Sequence, residues 1–166
     1  MSKSSTATVR EQPVAEATSV SGALRIIGET LTVETTDRIQ IVDLTDQVMA
    51  LVRKLRISEG TVSLVSLHTT CTVFVNEFQA ALVDDIATFL HQVVDDDAPW
   101  RHNDPHHSDC DRRNAGSHLR ALLLGHNLTL QVSGGEVVLG QWQRVLMAEL
   151  DGPRARTLRI QVMGVA

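Results

Sequence analysis

A chain of 166 residues, 43% of them apolar and 21% charged, has the size and make-up of a single globular domain. Its net charge of −5 and its few aromatics (two Trp, three Phe, no Tyr) exclude a broad phosphate-backbone footprint and a base-stacking platform, so no nucleic-acid partner is expected. No apolar run approaches the roughly 20 residues of a membrane helix, and two cysteines make no disulfide framework. The expected protein therefore has no membrane association and resides in the reducing cytoplasm.

Residues 1–21 carry few large apolar side chains and no period, and are expected to be a disordered tail preceding a single domain over 22–166. Leu24-Arg25-Ile26 through Leu31-Thr32-Val33 alternates as a strand does, and so does Arg38-Ile39-Gln40-Ile41-Val42. Leu44, Val48, Leu51, Val52 and Leu55 mark one helical face, with Thr45 and Asp46 as capping residues and Ser58-Glu59-Gly60 as its end. Two β-branched-rich strands follow, Val62 to Leu67 and Thr72 to Val75. A second helix is expected from Ala80 to Val94, burying Leu82, Ile86, Phe89, Leu90 and Val93.

After a long aperiodic loop, a short helix is expected over Ser117 to Leu124, with Gly125 ending it. Leu128 to Val132 and Val137 to Leu139 flank Ser133-Gly134-Gly135-Glu136, a two-residue hairpin signal. Gln143 to Leu150 and Thr157 to Met163 close the chain as strands, joined by a turn at Asp151-Gly152-Pro153. The pattern predicts an α+β fold: a mostly antiparallel sheet with two longer helices and one short one.

Ligand-type chemistry concentrates in the loop from Asp95 to Gly116, which holds Asp95, Asp96, Asp97, His102, Asp104, His106, His107, Asp109, Cys110 and Asp111. A loop this long inside a small domain is usually functional, and imidazole, carboxylate and thiolate are the transition-metal ligand types. A solvated acidic loop is the competing reading. Outside the loop, His68 ends a predicted strand, and His118 lies in the first turn of the short helix, where the helix dipole favours neutral imidazole. The spacing of these histidines matches no zinc finger. An open catalytic site is the metal arrangement left, with satisfied, partly buried histidines as its alternative.

The chain resembles the YjbQ-like family, known as the secondary thiamine-phosphate synthase enzyme family. The resemblance covers roughly residues 25–164 and rests on several motifs: His68-Thr69-Thr70 leading to Asn76-Glu77, His102-Asn103, and Asn114-Ala115-Gly116-Ser117-His118-Leu119. Leu139-Gly140-Gln141-Trp142-Gln143 and Glu149-Leu150-Asp151-Gly152-Pro153-Arg154 complete it. It implies a homotrimer with a histidine-lined pocket near the subunit boundaries, and it falls on His68, His102 and His118 as ligands of one divalent metal, zinc first among them. It also implies a weak thiamine-phosphate synthase reaction on small phosphorylated substrates. Cys71, Ala80-Ala81 and Trp100 depart from the family pattern, which usually has Ala, Asp-Pro and Tyr there.

Other candidates carry two readings each. Glu77, beside Asn76, is either the catalytic carboxylate that accepts a proton or a strand-end hydrogen-bond partner. Arg154 and Arg156 either bind an anionic substrate or clamp the Asp151 turn. Asn76, Asn114 and Arg154 are the expected substrate contacts. The leading expectation is a metal-dependent enzyme acting on a small phosphorylated substrate. A non-catalytic metal- or anion-binding homotrimer is the alternative.

Overall fold

A computed structural model describes residues 19–166, and most of the expected N-terminal tail lies outside the described residues. Eight strands form two antiparallel sheets. Strands β1 (Arg25–Glu34), β8 (Ala155–Val165), β3 (Glu59–Ser66), β5 (Asn127–Ser133) and β6 (Glu136–Val137) lie in that order in the larger sheet. The smaller sheet has the order β2 (Gln40–Asp43), β7 (Arg144–Glu149), β4 (Cys71–Asn76). The helices are α1 (Thr45–Leu55), α2 (Ala80–Val93) and α3 (Ala115–Leu124). This is the α+β, mostly antiparallel architecture that the hydrophobic periods predict.

Period-two alternation places the layers. Val62, Leu64, Leu158, Ile160 and Val162 of the larger sheet meet Val73, Val145 and Met147 of the smaller one, with Val48 and Val52 of α1 closing the same core. The opposite face of the smaller sheet, through Ile41, Leu146 and Ala148, packs on Leu90 of α2 and Ala121 of α3 in a second core. Strand β7 is thus buried on both faces. That is why Val145-Leu146-Met147-Ala148 reads as a continuous apolar run and not as an alternating one.

Glu149 continues that alternation onto the face that meets the larger sheet. There it pairs with Arg156 of β8; the Nε bond is 2.5 Å, and a second bond runs from Nη2 to Oε1. Both side chains are essentially excluded from solvent. Thr70 Oγ1 accepts from Arg156 at 2.9 Å, Thr35 Oγ1 donates to Glu149 at 3.3 Å, and the Asp151 amide donates to Glu149 at 2.8 Å. One charge pair therefore joins the two sheets at the end where β7 leaves the core.

Several local expectations are corrected. The N-cap of α1 is Leu44, with no side-chain cap bond, and neither Thr45 nor Asp46 caps it; the preceding Asp43 carboxylate accepts the Thr45 amide at 2.9 Å and the Thr45 hydroxyl at 2.5 Å. The helix stops at Arg56 in the left-handed region (φ 53°), so Glu59 and Gly60 already belong to β3. A Cβ on Gly60 would lie 2.1 Å from the Met163 carbonyl oxygen, so its bareness serves strand contact and not helix termination. Helix α2 presents Val83, Ile86 and Leu90 to the core, leaving Phe89 and Val93 57% and 49% exposed. The buried stripe shares Ile86 and Leu90 with the expected one and is turned from it by roughly 50°, half a residue step. Trp142 belongs to no core of the chain and is about half exposed. The hairpin turn holds as read, with Ser133 opposite Glu136 and positive φ at Gly134 and Gly135, while its second strand is Glu136–Val137 and not Val137 to Leu139.

Removing one member of a buried ion pair strands the other. Glu149→Leu is expected to cost about 3–5 kcal/mol in denaturant unfolding, and Glu149→Leu with Arg156→Met should recover most of that loss. Equal losses in the single and double variants would contradict the pairing.

Candidate functional site

The start of α3 is assembled from four directions. The Asn103 side chain accepts the Ala115 amide at 2.9 Å, so a loop residue satisfies a helix-start donor that Asn114 leaves open. Asn114 is buried and donates to Asp151 at 2.8 Å. Ser117 donates to the Leu150 carbonyl at 2.6 Å, fixing α3 to the exit of β7. Buried Arg120 donates to the carbonyls of Leu90 (3.0 Å) and Val94 (2.8 Å) and to Asp96 (2.8 Å), tying α3 to the end of α2. Asp96 is thereby held so close that a Cβ on Gly116 would meet its Oδ1 at 2.1 Å. The run Asn114-Ala115-Gly116-Ser117 is a docking sequence for this helix start.

What that docking presents is a pair of imidazoles. His118 of α3 and His102, in a single 3₁₀ turn (Arg101–Asn103), meet edge to face with ring centroids 5.0 Å apart and planes at 88°. They line a cleft of 310 Å3 with Trp100, Arg101, Ala115 and Leu119. Burial, followed by the neighbouring His102, lowers the basicity of His118, opposed by Asp151. The helix-start position expected to favour neutral imidazole does so chiefly by desolvation.

His68 lies beyond the end of β3, half-buried, and its Nε2 accepts the Thr157 amide at 2.8 Å. An accepting Nε2 places the ring proton on Nδ1. Burial first, then the Arg156 charge, lowers its basicity, with Glu149 opposing. Among the described residues of the single chain, no three His, Cys, Asp or Glu side chains come close enough to hold one metal ion. Two of the three expected ligands, His102 and His118, are therefore brought together, while His68 is committed to the β8 backbone.

Asp151, buried beside this site, collects Arg112 Nε at 2.9 Å, Arg154 Nη2 at 3.2 Å and Asn114. Arg154 thus clamps the turn, and so does Arg112, whose part sequence reasoning missed; Arg112 lies in the aperiodic loop and carries no pattern of its own. Arg156 belongs to the core pair. Asn76 and Glu77 stand at the far end of β4; the strand rise puts roughly 17 Å between Cys71 and Asn76. There the Asn76 side chain accepts the Glu77 amide at 2.9 Å. The loop's remaining polar density serves its own turns. Asp104 accepts the His106 amide at 2.8 Å and pairs with the His107 ring at 2.9 Å, and these bonds hold its carboxyl below the usual range. Cys110 lies 3.5 Å from Asn114 Oδ1. His91 sits against Arg120 and Asp96, and His126 against the Cys71 carbonyl. No described helix is long and apolar enough to cross a membrane.

A family model described as UPF0047 protein YjbQ-like matches residues 29–165. A UPF0047 protein of Methanothermobacter thermautotrophicus is 36% identical over 141 residues, 85% of this chain and 94% of that protein. UPF0047 protein YugU of Bacillus subtilis is 30% identical over 136 residues, 82% of this chain and 98% of its own length. The crystal structure of a YbjQ-like protein from Sulfolobus solfataricus P2 superposes with a TM-score of 0.80 at 31% identity, covering 86% of this chain and 99% of that one.

The two histidines with lowered basicity set a pH dependence. Both take up a proton more readily in the unfolded chain, so their contribution to stability is complete above about pH 6.5 and is lost as pH falls from there through their lower folded values. The carboxyls of Asp96 and Asp104, held low by Arg120 and by the His106 amide, lose their contribution only in more acid solution. The urea midpoint should therefore drop between pH 7 and pH 5, and drop less in a His68→Gln, His118→Gln double variant. An equal drop in both proteins would show that these rings do not titrate as described.

Proposed function

The chain belongs to the UPF0047 protein YjbQ-like family, and from that premise we propose that it is an enzyme whose His102–His118 cleft holds a divalent metal, zinc first, against a small phosphorylated substrate. The observation that carries this reading is the edge-to-face pair itself: two imidazoles in contact, one of them with lowered basicity, at the mouth of a cleft. Deprotonated imidazole is the ligand form, and two such rings suit zinc with positions left for substrate or water. Bound there, the metal would supply positive charge to a phosphoryl oxygen. Arg154, half-buried on Asp151, supplies a further fork of donors for the anionic end.

In this reading His68 joins as the third ligand when its ring leaves the Thr157 amide; until then its Nδ1–H is a donor available to an anion. Asn114 acts by holding Asp151 in place. Asn76 and Glu77 reach the cleft only from a neighbouring copy, Glu77 accepting a proton there, which fits assembly as a homotrimer. Phe89, Val93, Leu122 and Leu123, large apolar side chains left about half exposed or more on α2 and α3, supply the kind of surface such an assembly would cover. The weak transfer joining a pyrimidine diphosphate to a thiazole phosphate is of the same class, since its leaving group is pyrophosphate. A non-catalytic metal- or anion-binding trimer is the second reading. It is favoured by the commitment of His68 to Thr157, which leaves two imidazoles in contact within the chain.

Zinc bound per chain after equilibration and desalting tests the proposal. Wild type is expected to retain the ion, His102→Ala and His118→Ala to lose it, and His91→Ala to keep it. Zinc affinity should fall as pH drops through the imidazole range. Arg154→Ala should weaken phosphate binding without changing zinc content. Unchanged zinc in both His102→Ala and His118→Ala would refute the metal reading.

A further inference from the structure

In a chain whose net charge is −5, four of the 15 Lys and Arg side chains gather where α1 ends: Arg25, Arg53, Lys54 and Arg56. Three of them have partners. Arg25 donates to the Leu55 carbonyl at 3.0 Å, and Lys54 stands 3.8 Å from Glu29. Arg53 lays its guanidinium on Glu136 through bonds of 2.7 and 2.9 Å. Arg56 is exposed, and its guanidinium has no partner among the described residues.

The fold does not explain why Arg56 is an arginine. It occupies the left-handed position after the helix (φ 53°, ψ 41°), where glycine is the usual residue because a Cβ is strained there. Its amide donates to the Arg53 carbonyl at 3.2 Å, a bond that glycine would make equally well. Arg53 and Lys54 already set positive charge against the helix dipole. Strain of this kind, kept for a side chain with no internal contact, is typical of binding positions.

Arg56 borders a cleft of 350 Å3, in the range of small-molecule sites, roughly 300–1,000 Å3. Arg53, Ser58, Glu136 and the Gly134-Gly135 hairpin tip line it with Arg56. A Cβ on Gly134 would meet nothing within 4 Å, and one on Gly135 only the Ile57 carbonyl oxygen at 3.9 Å, so the tip leaves the space open. The hairpin amides are taken, Gly134 by Glu59 and Gly135 by the Ser58 carbonyl. The donors left for a ligand are the five N–H groups of Arg56 and those of Arg53 Nη1. An anion there meets no bare carbonyl of Leu55 or Arg53, since Arg25 and the Arg56 amide cover them. Glu136, held by both oxygens on Arg53, shows the group that such a fork takes.

We propose that this cleft is a second ligand site, which takes a small carboxylate-bearing molecule, with Arg56 as its main anchor and Arg53 as a further donor. The site stands at the start of β3, whereas His68 lies beyond the other end of that strand; seven strand steps put roughly 23 Å between Glu59 and Ser66. It shares no lining residue with the His102–His118 cleft and does not depend on the metal reading.

The test titrates succinate into the full chain by calorimetry and locates it by amide nitrogen–proton NMR. Shifts are expected at Arg56, Ser58, Gly134 and Gly135. Arg56→Gly should bind succinate about tenfold more weakly, in line with the loss of charge-assisted bonds. Its urea midpoint should hold or rise, because glycine relieves the left-handed backbone. Arg56→Lys, which keeps the charge and loses the fork, should also bind more weakly. Glu136→Gln releases Arg53 and should bind more tightly. Unchanged binding in Arg56→Gly would assign Arg56 to the end of α1 alone and overturn the inference. Shifts centred on His102 and His118 would place the anion in the other cleft and overturn it too. Tighter binding of inorganic phosphate than of succinate would overturn the carboxylate class, and no binding of succinate at millimolar concentration would overturn the site.

Discussion

The charge pair between Glu149 and Arg156 is the constraint on which the rest of the structure turns. Two sheets that share an aliphatic core have only non-directional contacts to set their relative position. A carboxylate and a guanidinium, both excluded from water and both fully engaged, add direction at one end of the sandwich. Separating them would leave a charge uncompensated in a dry interior, so the ends of β7 and β8 move together or not at all.

That corner also places the candidate site. Two residues beyond Glu149, the buried Asp151 gathers Arg112, Asn114 and Arg154. Between them, the Leu150 carbonyl receives Ser117. Helix α3 therefore starts where β7 ends, and His118 is delivered to His102 by bonds that are all backbone-to-side-chain or charge-assisted. On the other side of the same pair, the Thr157 amide, next to Arg156, holds His68. The two imidazole sites differ in kind: one ring faces a cleft and another ring, while the other is bonded to a strand. Desolvation lowers the basicity of His68 and His118 alike, so both sites favour the uncharged ring near neutral pH.

Much of the fold was legible because period-two and period-3.6 patterns survive without tertiary knowledge. The strands from Arg25 to Val165, the Gly134-Gly135 hairpin and the existence of all three helices follow from local chemistry. Cap identity and helix rotation did not. The start of α1 is held by Asp43, one residue before the N-cap, whose carboxylate reaches two donors of Thr45 at once, and the rotation of α2 depends on which of two apolar stripes meets Ile41 and Leu146. In the site, residue type and motif together pointed to three histidines, of which His102 and His118 stand in contact. The separate position of His68 was not, since the Thr157 amide that binds it lies 89 residues away. Nor was the part of Arg112, or the reason for Gly116, which depends on Asp96 approaching from another helix end.

The β7–β8 corner holds His68 and His118 as neutral imidazoles before any ligand arrives, and it sets the tautomer of His68. Long-range nitrogen–proton NMR of the ring nitrogens, on ligand-free full-length protein at neutral pH, reads those tautomers residue by residue. The predicted result is a His68 ring protonated on Nδ1, with an unprotonated Nε2 shifted by the Thr157 amide, and a neutral His118. A His68 protonated on Nε2, or a His118 carrying both protons at pH 7, would contradict it.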